Sequence, residues 1–260
     1  MDSYQVLCVS SLFAALALLG MNICTGNIKK LRTFKCKDIL IVVLIGLPGT
    51  FLYNVFLYLG TDKLLASQAF IINYLWPIMS VVFACILLKE KMTARKGIAF
   101  ALSFLGVVTV AGSDLINFQP ETALGMGLCV LAAVSYGAFT ALNQKWHYDK
   151  PISVMLASFS TFVLTLVINL FRGTQLQLDA FQVLGLGWNG IFVMAVATTT
   201  WAIALDSGKT AVISNLAYIT PFLSLVWTAL FLHEPISIWS VAGLVIIILG
   251  ILIQLKDNKK

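Results

Sequence analysis

The sequence predicts an all-α polytopic membrane protein: nine transmembrane helices of a ten-helix, inverted-repeat (5+5) fold. Three observations predict it. Of 260 residues, 60% are hydrophobic and 11% are charged, whereas a soluble domain carries roughly 25% charged residues. The charge-poor stretches run about 20 residues each, enough to cross a hydrocarbon core ~30 Å thick. The chain also repeats itself. Asn73-Tyr74-Leu75-Trp76-Pro77 is followed by Leu88-Lys89-Glu90, and 144 residues later Tyr218-Ile219-Thr220-Pro221 is followed by Leu232-His233-Glu234.

The predicted helices are 6–27, 39–60, 65–88, 97–113, 122–143, 152–171, 183–205, 210–232 and 238–255, and none contains Asp, Glu, Lys or Arg. In lipid only a helix satisfies its own backbone, so runs of this length read as helices rather than strands. The first, 6–27, follows Met1-Asp2-Ser3, which lacks the basic start of a secretory signal, and reads as a retained span. Spans 39–60 and 65–88 carry Pro48 and Pro77, each removing one helix hydrogen bond. Span 210–232 carries Pro221 at the position matching Pro77.

Fifteen of the 17 basic residues fall in alternate connections: Lys29 to Lys37, Lys89 to Lys96, Lys145 and Lys150, Lys209, and Lys256 to Lys260. Lys63 and Arg172 lie on the other side. The positive-inside rule makes the first set cytoplasmic. The N-terminus is then outside and the C-terminus cytoplasmic. The formal charge of +6 is a topology signal, and no nucleic-acid partner is expected.

Shifted by 144 residues, spans 152–171, 183–205, 210–232 and 238–255 land on the first four, while 122–143 lands before Met1. Residues 1–113 therefore read as a first repeat lacking its opening helix, and 122–256 as a second, complete one. A unit with an odd number of helices, duplicated, gives two halves of opposite orientation. The sequence is expected to be an N-terminally short version of a ten-helix protein, the alternative being a genuine nine-helix protein.

The paired apolar-Tyr-x-x-Pro-x-x-Ser…Leu-x-Glu segments resemble the drug/metabolite transporter superfamily of the EamA type. Asn73-Tyr74-Leu75-Trp76-Pro77, Asn143-Gln144-Lys145 and Tyr218-Ile219-Thr220-Pro221 are most similar to its aromatic amino-acid exporter branch. The resemblance implies a ten-helix basket with a central cavity, alternating access and export of small metabolites across the plasma (inner) membrane. The first helix is the departure from the pattern.

A proline-broken apolar segment in each half points to a binding site. Asn73, Trp76, Pro77 and Ser80 share one helix face at i, i+3, i+4 and i+7. Tyr218, Pro221 and Ser224 occupy the matched segment, and Tyr136, Thr140 and Asn143 line one face of 122–143. Trp201 ends the Thr198-Thr199-Thr200-Trp201 run. The substrate-binding candidates are thus Asn73, Trp76, Pro77, Ser80, Tyr136, Asn143, Trp201, Tyr218, Pro221 and Ser224. An unpaired amide is costly at mid-membrane, so Asn73 faces either a cavity or another helix. Trp76 beside the broken turn suits a flat or aromatic substrate, and Trp227 reads as lipid-facing or packed between helices. Glu90 and Glu234 read as structural.

No charged residue lies inside a span, so a membrane-embedded proton or sodium relay is not expected. His147 and His233 make no metal pair, and no phosphate-binding glycine loop or serine nucleophile motif is present. No enzymatic activity and no cofactor are expected. The expected partners are a small neutral or zwitterionic substrate and the lipid bilayer; the oligomeric state is unknown. A non-transporting membrane scaffold and an inactive transporter remnant are the competing readings.

Overall fold

The computed structural model describes residues 1–89, 91–111, 120–175, 178–206, 219–233 and 236–255. Among them all regular structure is helical. In chain order these are α1 (Ser3–Cys24), α2 (Cys36–Thr61), α3 (Ala66–Leu87), α5 (Pro120–Lys145), α6 (Lys150–Phe171) and α7 (Ala180–Ala204), with α4 (Ala94–Ala111) between α3 and α5. After them come α8 (Ile219–Phe231) and α9 (Ile238–Leu255). Six of them, α1, α2, α3, α5, α6 and α7, are long and apolar enough to cross a membrane. The chain is a multi-pass membrane protein. The helices α4, α8 and α9 fall on the remaining predicted spans, and residues 210–218 of span 210–232 lie outside the described residues.

Helix starts follow from capping. The Asp2 carboxylate accepts the N–H groups of Tyr4 and Gln5, and the Gln5 side chain accepts the Asp2 N–H, satisfying donors the helix itself cannot. Asp179 and Gln182 repeat this box at α7, and Asp149 accepts the Ile152 N–H at α6. Some helices begin or end a turn beyond the apolar spans. The helix α4 takes in Arg95 and Lys96; Lys96 buries its stem and sends its ammonium to the Lys91 carbonyl at 3.2 Å. Both α2 and α7 widen into π turns, over Pro48–Leu52 and Asn189–Ala197. Pro48 offers no N–H to the preceding turn, and the Tyr53 N–H reaches back to the Pro48 carbonyl.

The chain folds as two compact units, crossing between them, among the described residues, at Val55/Phe56 and Lys145/Trp146. Each unit draws on both halves of the sequence. In the first, α1 packs along α6, and α2 packs on α6. The amide of Asn22 donates to the carbonyls of Leu18 at 2.8 Å and Pro151 at 3.4 Å. The amide of Asn169 donates to those of Thr165 at 2.8 Å and Tyr4 at 3.2 Å. One separation, 147 residues, relates Asn22 to Asn169, Leu18 to Thr165 and Tyr4 to Pro151. The capping acids obey it too: Asp149 pairs with Lys30 at 2.6 Å and Asp2 with Arg172 at 2.9 Å. Further along, the Thr161 hydroxyl donates to that of Thr50 at 2.8 Å.

In the second unit α4 packs along α9 and α3 along α5. Glycines set the α4–α9 approach: a Cβ on Gly106 would stand 2.8 Å from the Gly243 carbonyl oxygen, and one on Gly250 2.8 Å from that of Ala99. Here the offset is 144, since Gly106 corresponds to Gly250 and Ala99 to Gly243. Lys89 (φ 57°) after α3 and His233 (φ 53°) after α8 are both left-handed, and they too are 144 residues apart. A non-glycine residue there costs roughly 1–2 kcal/mol.

Candidate functional site

The helix α3 is interrupted where its sequence places an aromatic and a proline together. The first stretch ends at Asn73 and the second starts at Trp76. Across the break the backbone tightens: the Tyr74 N–H is shared between the carbonyls of Phe70 and Ile71, and the Leu75 N–H bonds to that of Ile72. Helical bonding resumes with the Met79 N–H on the Leu75 carbonyl at 3.0 Å. Pro77 has no N–H to offer the Asn73 carbonyl, and the interruption falls on Tyr74 and Leu75, the two residues between Asn73 and Trp76, because the proline ring crowds the turn that precedes it. The Ser80 hydroxyl donates to the Pro77 carbonyl at 2.6 Å.

Around this break stand three aromatic rings. Trp76 meets Tyr136 of α5 edge-on, with centroids 5.2 Å apart and planes at 84°, a favoured arrangement of ring quadrupoles. Tyr136 lies 5.7 Å from Phe139. Asn73, on the Trp76 face of α3, is only 7% exposed. Gly137 makes the approach of the two helices feasible. A Cβ there would stand 2.5 Å from the Met79 Cβ and 2.8 Å from the Ser80 nitrogen. The α5 backbone therefore lies directly on the turn that follows Pro77, and Tyr136 is presented to Trp76 as a consequence.

Of the sequence-derived candidates, Trp76 and Tyr136 meet at the α3–α5 contact and Ser80 lies against Gly137 there, while Pro77 adjoins Trp76 in sequence and Asn73 is buried at the end of the first stretch of α3. Asn143, two turns beyond Tyr136 on α5, is half-buried, as is Ser224 on α8. The helix α8 packs against the first stretch of α3, Ala66–Asn73. Pro221 lies in α8, though its side chain, like Tyr218, Glu90 and Glu234, lies outside the described residues. Trp201 is half-buried on α7, in the other unit. Trp227 is 53% exposed and stacks on Phe231 at 5.1 Å, as a lipid-facing residue would. Gly137, Phe139 and the π turns were not foreseen. The signal for Gly137 was its place in the row of small residues Ala133, Gly137 and Ala141 at i, i+4 and i+8.

The contact offers a cluster of mutually angled aromatic rings, with the buried Asn73 amide at the end of the preceding stretch of α3 and no charged side chain among Asn73, Trp76, Pro77, Ser80, Tyr136, Gly137 and Phe139. Such a surface can hold an uncharged ring or a neutral side chain and orient one polar group. Among the described residues no group of His, Cys, Asp or Glu could hold a metal ion.

The sequence profile of the EamA-like transporter family matches residues 1–112 and 123–255. An uncharacterized transporter of Clostridium kluyveri is 26% identical, over 100% of this chain and 86% of that protein. One of Archaeoglobus fulgidus is 25% identical, over 96% and 85%. The aromatic amino acid exporter YddG of Ancylobacter novellus is 22% identical, over 69% of this chain and 63% of its own length. A solved crystal structure superposes with a TM-score of 0.71 at 16% identity, covering 97% of this chain and 88% of the other, a likeness of fold.

Proposed function

The chain belongs to the EamA-like transporter family, and from that premise we propose that it exports small neutral or zwitterionic metabolites, aromatic amino acids foremost, by alternating access. The observation that carries the substrate class is the edge-on Trp76–Tyr136 pair beside the α3 break, with the buried Asn73 closing the preceding stretch. The similarity to YddG supports the aromatic preference. We place the protein in the plasma (inner) membrane with the C-terminus cytoplasmic, on the distribution of its basic residues.

The inverted repeat, with nine spans here, belongs to the same proposal. It is supported by the two matched segments 1–112 and 123–255 and by the reciprocal Asn22 and Asn169 bonds. The matched left-handed residues Lys89 and His233 support it as well. The pairing of α1 with α6 and of α4 with α9 ties the two halves together. The bodies that move in transport are therefore the compact units, each built from both halves, rather than the halves themselves. With no charged residue inside a predicted span, the substrate gradient drives flux.

Efflux of labelled phenylalanine, tryptophan and leucine from loaded proteoliposomes tests this. An aromatic–aromatic pair contributes about 0.5–1.5 kcal/mol, so Trp76→Ala weakens apparent affinity about 2–10-fold, and Trp76→Phe less. Asn73→Ala lowers efflux with protein level unchanged. Efflux indifferent to both variants would remove the site, and a rate that follows an imposed proton gradient at fixed substrate gradient would remove the driving force.

A further inference from the structure

We propose that the short helix joining α1 to α2 is a binding surface for anionic phospholipid headgroups. Residues Asn27–Thr33 form a 3-10 helix. With three residues per turn, positions i and i+3 eclipse, and this sorts the segment into ridges. Ile28 and Leu31 make an apolar ridge, half-buried, and Phe34, in extended backbone just after the helix, is also half-buried and packs its ring 5.6 Å from that of Tyr148. Lys29 and Arg32 make an exposed basic ridge, and Lys35 and Lys37 follow it, also exposed. Lys30, on the third ridge, is held by Asp149 at 2.6 Å.

The arrangement separates two jobs. One ridge and Lys30 fix the segment to the protein, while the basic ridge is left facing outward. The stretch 29–37 holds five basic residues and no acidic one. Asp38, next in line, is already engaged by the Lys35 N–H at 2.9 Å and the Tyr148 hydroxyl at 3.2 Å. Among the described residues Lys29, Arg32 and Lys37 form no ion pair. The segment leaves α1 at Cys24 and enters α2 at Cys36, two helices long and apolar enough to cross a membrane. Its basic ridge therefore emerges where headgroups lie. A basic segment beside a span attracts anionic lipid, each Lys or Arg contributing about fivefold in affinity, and the guanidinium fork of Arg32 suits phosphate oxygens. The surface is independent of the transport reading.

The test uses full-length protein in detergent with equimolar phosphatidylglycerol and phosphatidylcholine, retained lipid being counted by native mass spectrometry. The wild type is expected to retain phosphatidylglycerol preferentially, less so as salt is raised. Lys29→Gln/Arg32→Gln/Lys37→Gln is expected to reduce the preference by tenfold or more, and each single change by roughly fivefold. The charge-keeping Lys29→Arg/Arg32→Lys/Lys37→Arg keeps it, as does Lys256→Gln/Lys259→Gln/Lys260→Gln. The single variants serve if the triple one is not recovered folded. No preference in the wild type, or an equal loss in the C-terminal triple variant, overturns the proposal.

Discussion

Gly137→Ala isolates the contact on which the site depends. The added Cβ would stand 2.5 Å from the Met79 Cβ and 2.8 Å from both the Met79 carbonyl carbon and the Ser80 nitrogen. Ordinary carbon–carbon contact is about 3.5–4.0 Å, so α5 must withdraw from α3 by roughly 1 Å. Two of the three obstructing atoms are backbone in a helix, which no rotamer change moves aside. Overpacking of this kind costs about 1–3 kcal/mol, and withdrawal also loosens Tyr136 from Trp76. The internal control is Gly127 on the same helix, where a Cβ meets nothing within 4 Å. Gly127→Ala is expected to stabilise by up to about 1 kcal/mol through helix propensity. Melting temperature in detergent reads the first effect, and half-saturating concentration for aromatic efflux reads the second. Gly137→Ala should lower both stability and apparent affinity while Gly127→Ala lowers neither. Equal behaviour of the two variants would refute the close α3–α5 contact.

Other outcomes follow from the same contacts. Asn22→Ala and Asn169→Ala should each destabilise by about 0.6–1.7 kcal/mol, the range for interhelical polar contacts in membranes. Their effects should add in the double variant, since each bonds a different carbonyl pair; thermal denaturation checks both. Lys30→Ala and Arg172→Ala break part-exposed ion pairs and should cost at most about 1 kcal/mol in the same assay. Tyr148 is held above the usual phenol pKa by desolvation and by the hydrogen bond and charge of Asp38. Its neutral form is favoured in the fold, so the contribution is complete below the unfolded value near 10 and is lost as pH rises through the folded one. Asp38→Asn should shift that phenol's ultraviolet titration to lower pH.

The face carrying Asn73, Trp76, Pro77 and Ser80 was legible because helical spacing is a local property, and so was that of Tyr136 and Asn143. That the two faces meet was not, since the meeting depends on a single glycine far along the chain whose backbone lies on Met79 and Ser80. The break in α3 was legible from Pro77, which leaves the Asn73 carbonyl without its helical donor; that Tyr74 and Leu75 absorb the distortion in a tightened turn was not. Asn22 and Asn169 carry no local signal of their role, because their partners, the carbonyls of Pro151 and Tyr4, are supplied by the opposite end of the other helix. The sequence match between the Pro77 and Pro221 segments runs at 144 residues, whereas the reciprocal bonds of α1 and α6 register at 147. A single offset read from sequence misses that shift.

The packing of matched helices against each other decides which bodies can move, and a cross-link can expose the answer. Thr50 of α2 and Thr161 of α6 belong to different sequence halves but to the same compact unit, and their hydroxyl oxygens are 2.8 Å apart. Thr50→Cys/Thr161→Cys places two sulfurs at nearly those positions, close enough to reach a bond of about 2.05 Å with little backbone movement. Both sites are buried, so a membrane-permeant oxidant is required. Comparison of the oxidised and reduced states of one variant cancels the cost of the lost hydroxyl pair. If the halves rock against each other, the bridge joins two moving bodies and stops efflux. If the units move, it joins two parts of one body and efflux is unchanged, which is the expected result. Efflux abolished on oxidation and restored by a reductant would return the motion to the halves and contradict movement of the compact unit as one body.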